Sequence, residues 1–230
     1  MLVKSQLQLV DLALKRSKMA RERRMKKSNT KRKIFTIAIY IILFASLIYS
    51  GIQIYKWKKD SNNNNQIIEK VKEEVIVKTE DNSYYLTRNF EKQQNAAGWI
   101  FTDYRNKFDG SDKNIIIYGH NRRDGTMFGS LQNILKEEWY NNSENMTITL
   151  DTENEESTYQ VFSIYKTEVE DYYIKTSFKD DAEYEEFINK LKSRSIKDFN
   201  VELTKDDQIL TLSTCANNNK YRIVLHAKKN

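Results

Sequence analysis

Residues 34–55, IFTIAIYIILFASLIYSGIQIY, run for 22 positions without a charged side chain. As a helix rising 1.5 Å per residue they span roughly 33 Å, enough to cross the hydrocarbon core of a bilayer. A cleavable signal peptide has an apolar region of only about 7–15 residues, and although Ala45, Ser46 and Ser50 are small, they compose no clear A-x-A cleavage site. The stretch is therefore expected to be an uncleaved signal anchor. Residues 1–33 hold 12 Lys/Arg against Asp11 and Glu22, while the whole chain carries a net charge of only +6, so the part after residue 33 is net acidic. By the positive-inside rule the basic arm stays in the cytoplasm and everything after Tyr55 is exported. Attraction to anionic lipid heads accounts for the arm's charge. A nucleic-acid partner is not expected, because it would need an excess of basic residues on the folded part.

Export changes the reading of the one cysteine, Cys215. A lone cysteine is by default a small buried hydrophobe. Outside the cytoplasm, however, an unpaired thiol has no intramolecular partner and is exposed to oxidation, which favours a working role. Its surroundings are ordered by period-two alternation. Ile209, Thr211, Ser213 and Cys215 fall on one face of a strand, and Leu210, Leu212 and Thr214 on the other. Three asparagines, 217 to 219, make a polar turn into a second strand over residues 221–227, so that Arg222 returns beside the cysteine.

The rest of the exported part reads as many short strands with peripheral helices. The Asn-rich residues 60–66 are expected to form a flexible stalk, with a short helix over 67–75. Strands are expected at 75–77, 84–86, 99–101, 114–118, 146–150, 158–168, 201–203 and 208–214, together with the closing strand at 221–227. A helix is expected at 127–135. A longer one, capped by Asp180 or Asp181, carries the apolar stripe Tyr184, Phe187, Ile188 and Leu191. The fold class is mostly β, a closed or partly open barrel with peripheral helices, preceded by one transmembrane helix. Four segments follow: a basic cytoplasmic arm (1–33), the anchor (34–55), a polar stalk or short helix (56–74) and a folded domain (75–230).

With two histidines in the chain, a Cys/His nucleophile pair has two forms. His226 shares its alternation class with Arg222 but lies about 13 Å further along that strand. His120 ends its strand and opens a polar loop, where catalytic side chains are commonly presented. No spaced zinc motif exists, so neither a metal nor another cofactor is expected.

The motifs Tyr118-Gly119-His120-Asn121, Asp124-Gly125-Thr126-Met127-Phe128-Gly129-Ser130-Leu131 and Thr211-Leu212-Ser213-Thr214-Cys215, with Arg222, resemble the sortases, class B in particular. The likeness extends to Asn82-Ser83-Tyr84-Tyr85-Leu86, Asp103-Tyr104-Arg105-Asn106 and Asp171-Tyr172-Tyr173-Ile174-Lys175. The resemblance implies a membrane-held transpeptidase at the outer face of a Gram-positive cell. In that reading Cys215 is the nucleophile, His120 the proton donor to the departing amine, and Arg222 the oxyanion stabiliser. Asn82, Leu86, Tyr173, Ile174, Ser213 and Thr214 would line the substrate groove. The implied partners are exported proteins bearing a C-terminal sorting motif and an acceptor amine from a cell-wall precursor peptide or a pilin lysine. A non-catalytic peptide-binding module and an exported cysteine peptidase are the alternative readings. The chain departs from the class in having no proline and only about 20 residues between Trp57 and Val77. One barrel strand and most of the N-terminal helices are thus expected to be missing, leaving sheet edges to be covered.

Overall fold

The computed structural model of the 230-residue chain describes residues 2–71, 76–152, 156–216 and 220–230. It divides into two compact units, Met1–Lys56 and Trp57–Asn230. Helix α1 (Leu2–Val71) supplies the whole of the first unit and enters the second. Within it, Arg32–Ile67 is long and apolar enough to cross a membrane, and the side chains of residues 34–55 are exposed throughout.

The second unit is built, in chain order, from β1 (Phe101–Thr102), β2 (Asn114–Tyr118), α2 (Glu137–Tyr140), β3 (Thr147–Asp151), β4 (Glu156–Glu168), α3 (Asp181–Ser193), β5 (Ile209–Ala216) and β6 (Tyr221–Lys229). Its strands form one sheet in the order β1-β2-β5-β6-β4-β3. Among these described strands only the β2–β5 pairing is parallel. A central strand buried on both faces needs an unbroken apolar run, and Ile115, Ile116 and Ile117 of β2 provide it.

Alternation along the strands assigns side chains to two cores, one on each face. Leu210 of β5 and Leu225 of β6 join Trp99, Ile115 and Ile117 in the larger. Ile209 and Val224 face the other, which α3 covers with Tyr184, Phe187, Ile188 and Leu191. In β4 the phase slips by one residue: Val161 and Ile164 share the first core, Phe162 and Tyr165 the second. The register shift between Val161 and Ser163 against β6 causes this, since a bulge adds one residue to one strand. Asp180 caps α3, its Oδ1 accepting from Glu183 N at 2.9 Å.

Several expectations are corrected. Residues 84–86 form a 3₁₀ turn (Tyr84–Leu86) rather than a strand, because Asp81 Oδ1 accepts from the backbone N–H groups of Ser83 and Tyr84 at 2.6 and 2.8 Å. Such a local turn competes with ladder pairing. Residues 201–203 join no strand: Lys192 Nζ and Lys228 Nζ donate to the carbonyls of Val201 and Glu202. The helix expected at 127–135 is a 3₁₀ helix over Gly129–Leu135, and the strand expected at 99–101 is the two-residue β1. The supposed flexible stalk is helical, with Ser61, Asn64 and Ile67 buried. Of the first expected strand, Val75 lies outside the described residues. Val77 makes one parallel bridge to Phe101, donating to Ile100 O and accepting from Thr102 N. Among the described residues, then, the sheet is an open half-barrel with β1 and β3 at its edges, and Val77 covers part of the β1 edge.

Candidate active site

Parallel neighbours end at the same side of a sheet, so β2 and β5 deliver their C-terminal residues to one place. Tyr118 stands opposite Ser213 in the register, Gly119 N donates to Ser213 O at 3.4 Å, and Thr214 Oγ1 donates to Gly119 O at 2.7 Å. His120 follows Gly119, two residues beyond the end of β2. The antiparallel β6 starts at this same end, and its register pairs Arg222 with Cys215. Three adjacent strands thus bring the backbones of His120, Cys215 and Arg222 to one rim. A Cβ on Gly119 would lie 2.7 Å from Phe128 Cγ, so this crossing also needs glycine.

A cleft of about 570 Å³ opens there. His120 and Arg222 line it, as do all six residues expected in the groove: Asn82, Leu86, Tyr173, Ile174, Ser213 and Thr214. Cys215 follows Thr214 directly in β5. The His120 ring is half-exposed, with Nε2 2.7 Å from Leu86 O. Arg222 Nη1 donates to Tyr221 O at 3.0 Å, which helps orient the guanidinium.

The groove walls are set by groups the sequence reading did not single out. Buried Asp103 accepts from Asn82 Nδ2 at 2.9 Å, from Tyr118 Oη at 2.9 Å, and from Arg105 Nε and Nη2, each at 2.8 Å. Burial disfavours its charge, but these donors, Arg105 foremost, outweigh burial and hold the carboxyl below its usual range. Arg105 Nη2 also donates to Ile174 O at 2.7 Å, tying the opposite wall to the same hub. The signal in the sequence is the Asp103-x-Arg105 spacing, a carboxylate and a guanidinium two residues apart. Val169, Glu170 and Asp171 complete the rim unanticipated.

Tyr173 Oη lies 3.0 Å from Ser213 Oγ, and Asn114 Nδ2 donates to the carbonyls of Tyr173 and Lys175. Behind them His226 is fully buried, opposite Thr211 in the register and outside the cleft. Thr211 Oγ1 donates to Asn114 Oδ1 at 2.7 Å, so its contact with His226 Nδ1 at 2.9 Å must be accepted from the ring. His226 therefore carries its proton on Nδ1, and Nε2 accepts from Tyr165 Oη at 2.8 Å. Burial pushes its pKa down to about 3. The unfolded chain takes up this proton near pH 6.5. Stability is therefore expected to be complete above that value and to fall by about 1.4 kcal/mol per pH unit as the pH drops toward 3. Urea melts of the protein and of His226→Gln between pH 4 and pH 7 check this; the variant should lose that slope.

Among the described residues no group of three or more His, Cys, Asp or Glu is placed to hold a metal ion.

The Sortase domain family model matches residues 67–230. The chain is 36% identical over 156 residues to Sortase B of Listeria monocytogenes, covering 66% of this chain and 63% of that protein. It is 37% identical over 140 residues to Sortase B of Staphylococcus aureus, covering 61% and 57%. The matched stretch is thus shorter than two thirds of either curated relative. Among solved structures, the Staphylococcus aureus sortase B–substrate complex superposes with a TM-score of 0.63 at 36% identity, over 67% of this chain and 72% of that one.

Proposed function

Since this chain belongs to the sortase family, and by its relatives to class B, we propose that it is a membrane-anchored extracellular cysteine transpeptidase. The observation that carries the reading is the convergence of β2, β5 and β6, which sets His120 and Arg222 on one cleft beside the Cys215 register position.

In this reading the Cys215 thiolate attacks the carbonyl of the threonine in a C-terminal sorting motif. Arg222 stabilises the oxyanion of the tetrahedral intermediate, and His120 protonates the amine that leaves as the thioester forms. An acceptor amine, from a cell-wall precursor peptide or a pilin lysine, then attacks the thioester and frees the thiol. Asn82, Leu86, Tyr173, Ile174, Ser213 and Thr214 hold the peptide. The existence of a sortase B–substrate complex among the superposable structures supports a substrate-binding role for this cleft. Residues 34–55 anchor the protein, with residues 1–33 in the cytoplasm on anionic lipid and the catalytic domain outside.

The test is product analysis. The full chain in detergent micelles is incubated with a fluorogenic peptide carrying the threonine-containing C-terminal motif of an exported protein encoded beside it. Added triglycine should appear joined to the threonine carboxyl. Release of free acid alone, at any triglycine concentration, would identify a peptidase instead, and no cleavage at all would leave a binding module.

A further inference from the structure

Four consecutive asparagines, Asn62 to Asn65, lie near the start of the second unit and play no part in the chemistry above. Helices do not favour a run of asparagine, which competes for its own backbone, yet this run is helical. The contacts explain why. Trp57, Ser61, Asn64 and Ile67 recur at helical spacing and so share one face of α1. Ser61, Asn64 and Ile67 on that face are buried, Asn64 completely.

The polar members of this face hold the loops on both sides of His120. On one side, Asn64 Nδ2 donates to Gly98 O at 2.9 Å and Asn64 Oδ1 accepts from Asn95 Nδ2 at 2.9 Å, while Asp60 Oδ2 accepts from Ala96 N at 3.0 Å. Gly98 is the residue against which the histidine rests: at φ +64°, a Cβ there would lie 2.8 Å from His120 Cδ2 and 2.6 Å from Tyr85 O. The imidazole is thus set between Gly98 and the Leu86 carbonyl that its Nε2 meets.

On the other side, Ser61 Oγ donates to Asp124 Oδ2 at 2.5 Å. Asp124 organises the loop that follows His120, accepting from Arg122 Nη2 at 3.1 Å and from Thr126 Oγ1 at 2.7 Å. The loop closes back through Phe128 N onto His120 O at 3.0 Å. Arg122 Cζ stands 5.4 Å from the centre of the Trp57 ring, on the same helical face.

We infer that residues 57–67 of α1 position His120: Asn64 acts through Gly98 and Ser61 through Asp124, each on one side of the imidazole. The inference rests on the reading of His120 as the proton donor. The continuation of the membrane-crossing helix is then a working part of the catalytic domain, in a chain expected to lack most of the N-terminal helices that the class-B resemblance implies. Neither residue touches the cleft, so both act on the rate of the chemical step rather than on peptide binding.

With only two histidines and one cysteine, the chain allows a clean test. The full chain, ¹³C-labelled at histidine, is placed in detergent micelles as the wild type, Asn64→Ala, Ser61→Ala and Ser61→Thr. In the two alanine variants the His120 ring resonances should shift or broaden while those of His226, fully buried outside the cleft, stay in place as an internal control of folding. With the same fluorogenic peptide, kcat should fall by about 10- to 100-fold with KM within about twofold, and Ser61→Thr, which keeps the hydroxyl, should behave as wild type. Unmoved His120 resonances and a wild-type kcat in both alanine variants would overturn the inference. If Asn64→Ala also disturbs His226, Ser61→Ala decides alone. A His120→Ala variant separates the two levels: full activity without the imidazole refutes its role as acid, whereas loss of activity there beside wild-type behaviour of the alanine variants refutes only the positioning.

Discussion

Replacing Cys215 by alanine is expected to abolish peptide cleavage in the full chain, a loss on the order of 10⁴- to 10⁶-fold, with the fold intact. The magnitude follows from the nature of the step. A covalent nucleophile cannot be partly replaced by the groups around it, and removing one leaves only the residual catalysis of binding and oxyanion stabilisation. The fold should survive because Cys215 takes its place in the sheet through its backbone, opposite Arg222 near the end of β5. Alanine keeps that ladder. Urea melts of the variant should show the same single cooperative transition as wild type. Cleavage by Cys215→Ala at the wild-type rate would refute the mechanism outright.

Arg222→Ala is expected to lower kcat by about 10²- to 10³-fold, the usual loss when one donor to a developing oxyanion is removed. Arg222→Lys should recover little of it. The guanidinium presents several N–H groups in a rigid plane, and in this site the bond from Nη1 to Tyr221 O helps orient it. A lysine ammonium is a compact charge on a flexible stem and reproduces neither the fork nor its orientation. Because Arg222 also lines the cleft, KM should rise in both variants. A lysine variant with wild-type kcat would mean that positive charge alone suffices and that the fork has no part.

These predictions depend on a site whose framework was readable in the chain. The strands of the central sheet follow from alternation because each is buried by its neighbours. The expected runs at 114–118, 158–168 and 221–227 correspond to β2, β4 and β6, with ends extended by at most two residues. The stripe of α3 and its Asp180 cap were legible because their signal is local, lying within about two turns of helix.

What escaped notice depends on side chains bonding to backbone. The aromatic run at 84–86 has strand-forming residues, but Asp81 captures its amide groups. Residues 201–203 offer carbonyls that lysines distant in sequence take up. The asparagines after Trp57 were the largest omission. Composition alone makes them a stalk, and the partners at Asn89, Asn95 and Gly98, some 26 to 34 residues away, hold them as helix. Asp103 escaped similarly: its role comes from Tyr118 and Asn82, which the fold brings to it from either side in sequence.

The measurement that bears most directly on the central claim is intact mass spectrometry of the full chain mixed with the fluorogenic peptide and quenched in acid. The account predicts a covalent adduct equal to the acyl fragment ending in threonine, located on Cys215, absent from Cys215→Ala, and discharged when triglycine is added before the quench. Cleavage of the peptide with no adduct on Cys215 at any time, or an adduct that triglycine leaves untouched, would contradict it.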